Sequence, residues 1–164
     1  MFRRLGLHTR APYHVFLYSL IFGATTFHSF ILSPIAFKLL KREDFGNLQN
    51  KIFPGYFIAQ TISPVLLGLT APYTVCPFGI GVLATSAVAG ALNYFVLLPW
   101  CHSIKEERVK LQKELGADAE PTEELVNLNK KFGRAHALSS IANMVSIFTL
   151  AIYGTYLTRS LNKV

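Results

Sequence analysis

The sequence predicts an all-α protein, a four-helix transmembrane bundle with a charged helical hairpin between spans three and four. Hydrophobic residues make up 51% of the 164-residue chain and the mean hydropathy is +0.36, more than a soluble domain with a wet surface carries. Asp, Glu, Lys and Arg are missing from three long runs: 27 residues at 11–37, 53 at 52–104 and 24 at 135–158. A span needs about 20 apolar residues to cross a hydrocarbon core about 30 Å thick, so these runs hold one, two and one spans. Helix is the state available to them, because an open strand in lipid leaves backbone groups unpaired and four segments are too few for a barrel.

The first span is placed at 13–39. Residues 1–42 hold no acid, and Arg3, Arg4 and Arg10 lie ahead of this span, a faint mitochondrial-targeting flavour without a recognisable cleavage site. The N-terminus is therefore expected to be retained, the first span acting as its own insertion signal. The second and third spans, 52–69 and 78–104, share the middle run, which must turn where Pro72, Pro77 and Gly79 interrupt it. The fourth is placed at 135–157, and the whole chain, 1–164, is one transmembrane domain.

The hairpin, 105–134, has fourteen charged residues in thirty, yet is patterned like helix. Glu106 with Lys110 and Lys110 with Glu114 are i,i+4 pairs, and Ile104, Leu111 and Leu115 share a face. Gly116 is placed to stop that arm. Asp118 and Pro121 suit a new helix start, after which Leu125, Leu128 and Phe132 form a second stripe leading into the fourth span. Spans three and four are expected to project from the bilayer, stripe against stripe.

With four crossings, both termini and the 70–77 turn share one side, which holds five basic residues; the 38–51 and 105–134 segments share the other, with eleven. Counting Lys and Arg alone, the eleven-residue side faces the cytosol. The net charge of +7 is explained by this topology and not by nucleic acid, since the basic residues flank apolar spans. The expected surroundings are a lipid bilayer, mitochondrial or endoplasmic reticulum, with membrane-protein partners or a homo-oligomer.

Motif strings for chemistry are weak. Gly79-Ile80-Gly81-Val82-Leu83-Ala84 lacks the strand and acid of a dinucleotide site, so its small residues, continuing through Ala89 and Gly90, are read as close-packing positions. Cys76 and Cys101 lie about 35 Å apart along helix, beyond disulfide reach. The five histidines, His8, His14, His28, His102 and His136, show no ligand spacing on a helix face, and hydrolase signatures are absent. No cofactor, metal or catalytic residue is expected, and the chain is read as no enzyme.

Depth is more informative. Counted inward from the charged side, His28, Gln60, Asn93 and Asn143 lie about 13 to 18 Å deep, near the midplane. Each helix thus brings one strong hydrogen-bonding group to one level, as interhelical glue or as a polar site. Asn93 and Asn143 are expected to meet, with Ala89 and Gly90 letting the third and fourth helices approach. His136, Ser140 and Asn143 share a face expected to point inward, leaving Val145 and Phe148 nearer lipid.

Three ordered blocks carry a family likeness: Phe45 to Phe57, Asn93 through Pro99 to Gly116, and His136 to Asn143. They resemble the transmembrane protein 205 family across most of the chain. The resemblance implies a four-span helical membrane protein without an established catalytic activity. Its motif positions fall here on Phe45, Gly46, Gln49, Phe53, Pro54, Tyr56, Asn93, Pro99, Glu107, Arg108, His136, Ser139, Ser140 and Asn143; His28 lies outside that pattern. The expected function is to bind or organise partners within the membrane without covalent catalysis. The alternatives are a small-solute or lipid transporter using the midplane layer, and a membrane haem or redox protein.

Overall fold

In the computed structural model, which describes residues 7–116 and 122–162, every regular element among the described residues is helical. Four long apolar helices run over Ala11–Leu39, Arg42–Thr70, Pro77–Leu115 and Glu123–Leu161, which makes the chain a multi-pass membrane protein. Arg3, Arg4, Asp118, Pro121 and Lys163 lie outside the described residues.

The helices are longer than the charge-free runs require. The second begins at Arg42 and not near 52, so the Phe45–Phe57 block is helical and the acids Glu43 and Asp44 sit in its first turn, where they complement the helix dipole. The third continues through Ile104 into the charged segment as far as Leu115. Gly116 ends it with φ of +87°, a conformation that glycine adopts without steric cost. The fourth starts at Glu123, its first turn capped by the Thr122 hydroxyl, which accepts from the Leu125 N–H at 3.3 Å. The hairpin arms are thus extensions of spans three and four, and Ile104, Leu128 and Ala135 bury against each other with Cys101, Leu111 and Phe132 around them.

Toward the end that carries the termini, Leu67, Leu83, Leu150, Tyr153 and Leu157 form the apolar core. At Gly90 two backbones come close: a Cβ there would lie 2.8 Å from the backbone of Gln60 and Thr61, so this small residue lets span three press onto span two. Outward-facing Phe16, Leu20, Leu69, Phe95 and Phe148 are exposed, as lipid-facing residues are. Span one is the peripheral member, with 11% of its most apolar stretch buried against 28%, 39% and 28% in the others.

Two helices are interrupted by a π turn, His28–Leu32 in span one and Asn93–Leu97 in span three. In each, the residue before a proline, Ser33 or Leu98, donates its N–H to the carbonyl five residues back, that of His28 or Asn93. Pro34 and Pro99 lack an N–H and their rings crowd the carbonyl four residues back, which a wider turn relieves.

A polar layer between two similar halves

The residues around the two π turns follow one pattern. His28-Ser29-Phe30-Ile31-Leu32-Ser33-Pro34 and Asn93-Tyr94-Phe95-Val96-Leu97-Leu98-Pro99 each place Phe two residues after a polar residue, then a β-branched residue and Leu, and Pro at the sixth. The spans that follow also match, Gln60-Thr61-Ile62-Ser63 with Asn143-Met144-Val145-Ser146, and seven residues beyond each polar start come Leu67 and Leu150, both fully buried. With four crossings, spans one and three run in the same direction, as do spans two and four, but their packing is unequal: 11% of the most apolar stretch of span one is buried against 39% of that of span three.

Two of the matching polar residues, Gln60 and Asn143, touch. Gln60 Nε2 donates to Asn143 Oδ1 at 2.7 Å and to the Tyr56 hydroxyl at 3.2 Å. Tyr56 donates to the same Asn143 oxygen at 2.9 Å, while Asn143 Nδ2 donates to Ser29 Oγ at 2.9 Å. Since the Tyr56 proton is committed to Asn143, Ser29 is the donor in its 3.0 Å contact with Tyr56. Span one carries Ser29, span two Tyr56 and Gln60, and span four Asn143, so one ring of bonds ties three helices. One turn nearer the charged end, Gln49 Nε2 donates to Ser33 Oγ at 3.1 Å, and Ser33 reaches His28 Nε2 at 3.3 Å. The His28 ring lies 4.6 Å from that of Tyr56.

Asn93 does not join this ring. It is fully buried, and neither atom of its amide has a hydrogen-bond partner. The expected Asn93–Asn143 pair is therefore corrected: Asn143 is taken by Tyr56, Gln60 and Ser29, and Gly90 seats span three on span two. Where Ser33 answers His28 in the first half, Leu98 stands in the second. Gln60 Oε1, Gln49 Oε1 and Ser63 Oγ are also buried and unpartnered, whereas Ser146, the counterpart of Ser63, lies 2.9 Å from Ser86 Oγ.

The expected inward face of span four also needs correction. Asn143 is covered where Ser29 and Tyr56 reach it, but two turns away His136 is exposed and stacks on Phe132, and Ser140 is exposed as well. The buried stripe runs instead through Ala135, Ala142, Ser146 and Leu150, with Ser139 half-buried at its edge. Val145 and Phe148 do face outward. Of the remaining motif positions, Phe45 packs on Phe37 at 5.3 Å and Phe53 on Phe57 at 5.2 Å, Pro54 lies inside the second helix, and Pro99 is exposed. Glu107 lines a cleft of about 580 Å³ in the hairpin, and the Arg108 guanidinium lies 5.3 Å from the centre of the Phe132 ring. Gly46 is described with the charged end below.

Sequence reasoning missed the cluster at the end that carries the termini. Thr70 donates to the Leu66 carbonyl at 2.7 Å, so its oxygen can only accept from His14 Nδ1, 2.9 Å away. That fixes the proton on Nδ1 in the neutral ring, leaving Nε2 to accept from the Tyr153 hydroxyl at 2.9 Å. Tyr73 then donates to Tyr153 at 3.2 Å; burial raises the Tyr73 pKa above its ordinary value, which keeps that proton in place. Both His14 nitrogens are engaged, so His14 has no free nitrogen for a haem iron. The signal was present in sequence as His14 and Thr70 at the same end of adjacent spans. Among the described residues no group of three or more His, Cys, Asp or Glu is placed to hold a metal ion.

Comparison with known proteins adds a family. The model of a domain of unknown function, DUF4149, matches residues 16–110, taking in the Phe45–Phe57 block and the stretch from Asn93 to Arg108. A protein of Aspergillus fumigatus, named Xanthocillin biosynthesis cluster protein D, is 28% identical over 156 residues, 92% of this chain and 90% of its own. No solved structure matches the chain.

Proposed function

Because the chain belongs to the DUF4149 family, whose function is unknown, we propose from its own geometry that it is a non-catalytic membrane protein binding a small uncharged polar solute at its midplane layer. The observation carrying this reading is the pair of proline-linked π turns in matching runs of spans one and three, together with the Gln60–Asn143 contact between spans two and four. Proline-interrupted apolar helices at corresponding places in a membrane protein point to a binding site at their level. Asn93 and Ser63, together with Gln60 Oε1, supply buried donors and acceptors without partners. In hydrocarbon such groups are costly until something bonds to them.

The stretches 11–37, 52–104 and 135–158 hold no Asp, Glu, Lys or Arg, so the layer offers neutral hydrogen-bonding groups, which suit a neutral polar solute. The relative named for a biosynthesis cluster is in keeping with a small molecule as cargo. The likeness to the transmembrane protein 205 family, carried by the blocks around Phe45, Asn93 and His136, belongs to the same proposal, as does a mitochondrial or endoplasmic reticulum membrane.

Reconstitution into liposomes and uptake of a panel of small neutral polar solutes test it. Uptake above that of empty liposomes, lowered at least ten-fold by Asn93→Leu in protein that still folds, is the expected result. Uptake equal in wild type, Asn93→Leu and empty liposomes, together with a protein partner retained through gentle solubilisation, would replace this reading with that of a membrane organiser.

A further inference from the structure

On the charged side a groove of about 480 Å³ opens between the start of span two and the outer part of span three. Asn47 and Asn50 line it from span two, and His102, Lys105, Lys110 and Lys113 from span three. Lys51 and Lys105 bound the uncharged run 52–104, so the groove sits where hydrocarbon gives way to lipid head groups.

Lys105 is held in place there. Its ammonium lies over Gly46, where a Cβ would come 3.2 Å from Nζ. With the Asn50 amide turned to satisfy both its atoms, the Asn50 oxygen accepts from Lys105 Nζ at 2.7 Å and its nitrogen donates to the Gly46 carbonyl at 3.3 Å. One ammonium N–H is thereby used to position the group, and the others remain for a ligand. Beside it His102 Nε2 is buried and unpartnered. Lys110 and Lys113, both exposed, continue the basic face outward. Glu106 is the acid in the lining, so three lysines and one carboxylate leave the groove cationic.

We propose that this groove binds the phosphate of an anionic phospholipid, with Lys105 donating to its oxygens and Lys110 and Lys113 attracting it. A phosphate presents several acceptors to donors that otherwise have too few, and basic pockets between membrane helices at this level suit phospholipid head groups. The same lysines repel the quaternary ammonium of a choline lipid, which gives the site its selectivity. Its acyl chains would lie along the outward apolar residues of the adjoining spans.

Purified full-length protein in a neutral detergent, titrated with phosphatidic acid while its melting temperature is followed, provides the test. Phosphatidic acid should raise the melting temperature saturably, and phosphatidylcholine should not. Lys113→Gln should weaken the midpoint about five-fold, and the double change Lys110→Gln, Lys113→Gln more. Lys105→Gln should weaken it further still; if that variant does not fold, the two exposed lysines decide the matter alone. Equal stabilisation by phosphatidylcholine, or a midpoint unmoved in the exposed-lysine variants, would overturn the proposal. So would protection by inorganic phosphate alone matching that by the lipid, since the site would then take free phosphate.

Discussion

Gln60 of span two and Asn143 of span four, which begin matching sequence runs, bond directly to each other at 2.7 Å. Asn143 is also bonded to Tyr56 and Ser29. Asn143→Leu removes three bonds worth about 0.6 kcal/mol each, for an expected loss of about 2 kcal/mol in unfolding from detergent. Adding Gln60→Leu should cost clearly less than it does alone, because its main acceptor is already gone. A double-mutant cycle showing additive losses would mean that the two side chains do not act as a pair.

Two glycines of span three should separate cleanly. Gly90→Ala puts a Cβ 2.8 Å from span-two backbone, which cannot swing aside, and should cost about 1–3 kcal/mol. Gly81 has open space where its Cβ would go, so Gly81→Ala should be neutral or stabilise by up to about 1 kcal/mol. Melting curves of both variants, side by side, check the contrast.

The proton count around His14 makes a spectroscopic prediction. Nitrogen-15 NMR of labelled protein should find His14 neutral with its proton on Nδ1, and Tyr153→Phe should leave Nε2 without its donor, at a cost of about 1–3 kcal/mol. A proton found on Nε2 would reverse every bond from Tyr73 to Thr70.

Cys76, at the turn before span three, should react early on a pH scale. The Tyr156 hydroxyl beside it, and then the Gly79 backbone N–H, lower its pKa below the ordinary thiol value. The thiolate is the reactive form, so a lowered pKa brings reactivity in at lower pH. Maleimide labelling rates should therefore rise with a midpoint below that of a free thiol, and Tyr156→Phe should move that midpoint upward.

The same residue reports topology. A membrane-impermeant maleimide should label native Cys76 from one side of sealed vesicles and Lys113→Cys from the other, because an odd number of crossings separates them. Labelling of both from one side would contradict the four-span arrangement.

Much of the fold was legible because charge avoids hydrocarbon: the gaps Arg10–Lys38, Lys51–Lys105 and Arg134–Arg159 are long enough for one, two and one helices, and Pro72 and Pro77 divide the middle one. Gly116 ended its helix as its position in the pattern indicated. Depth from the charged side placed Gln60 and Asn143 at one level, because rise per residue is fixed. What depth cannot give is azimuth. His136 and Asn143 share a helix face, yet only Asn143 meets neighbours that reach it, and Asn93 looks toward no side chain that answers it. The π turns were the larger omission, although the matched runs ending at Pro34 and Pro99 were there to be aligned.

Span one illustrates what such a design asks of synthesis. His14 waits for Tyr153, 139 residues later, and Ser29 for Asn143, 114 later. Span two answers part of span one early, Thr70 for His14 Nδ1 and Tyr56 for Ser29, but His14 Nε2 and the bond from Asn143 wait for span four. A ribosome that stalls before residue 143 leaves behind a helix bearing unmet donors and acceptors in lipid, the kind of lesion by which membrane quality control could tell an unfinished chain from a finished one.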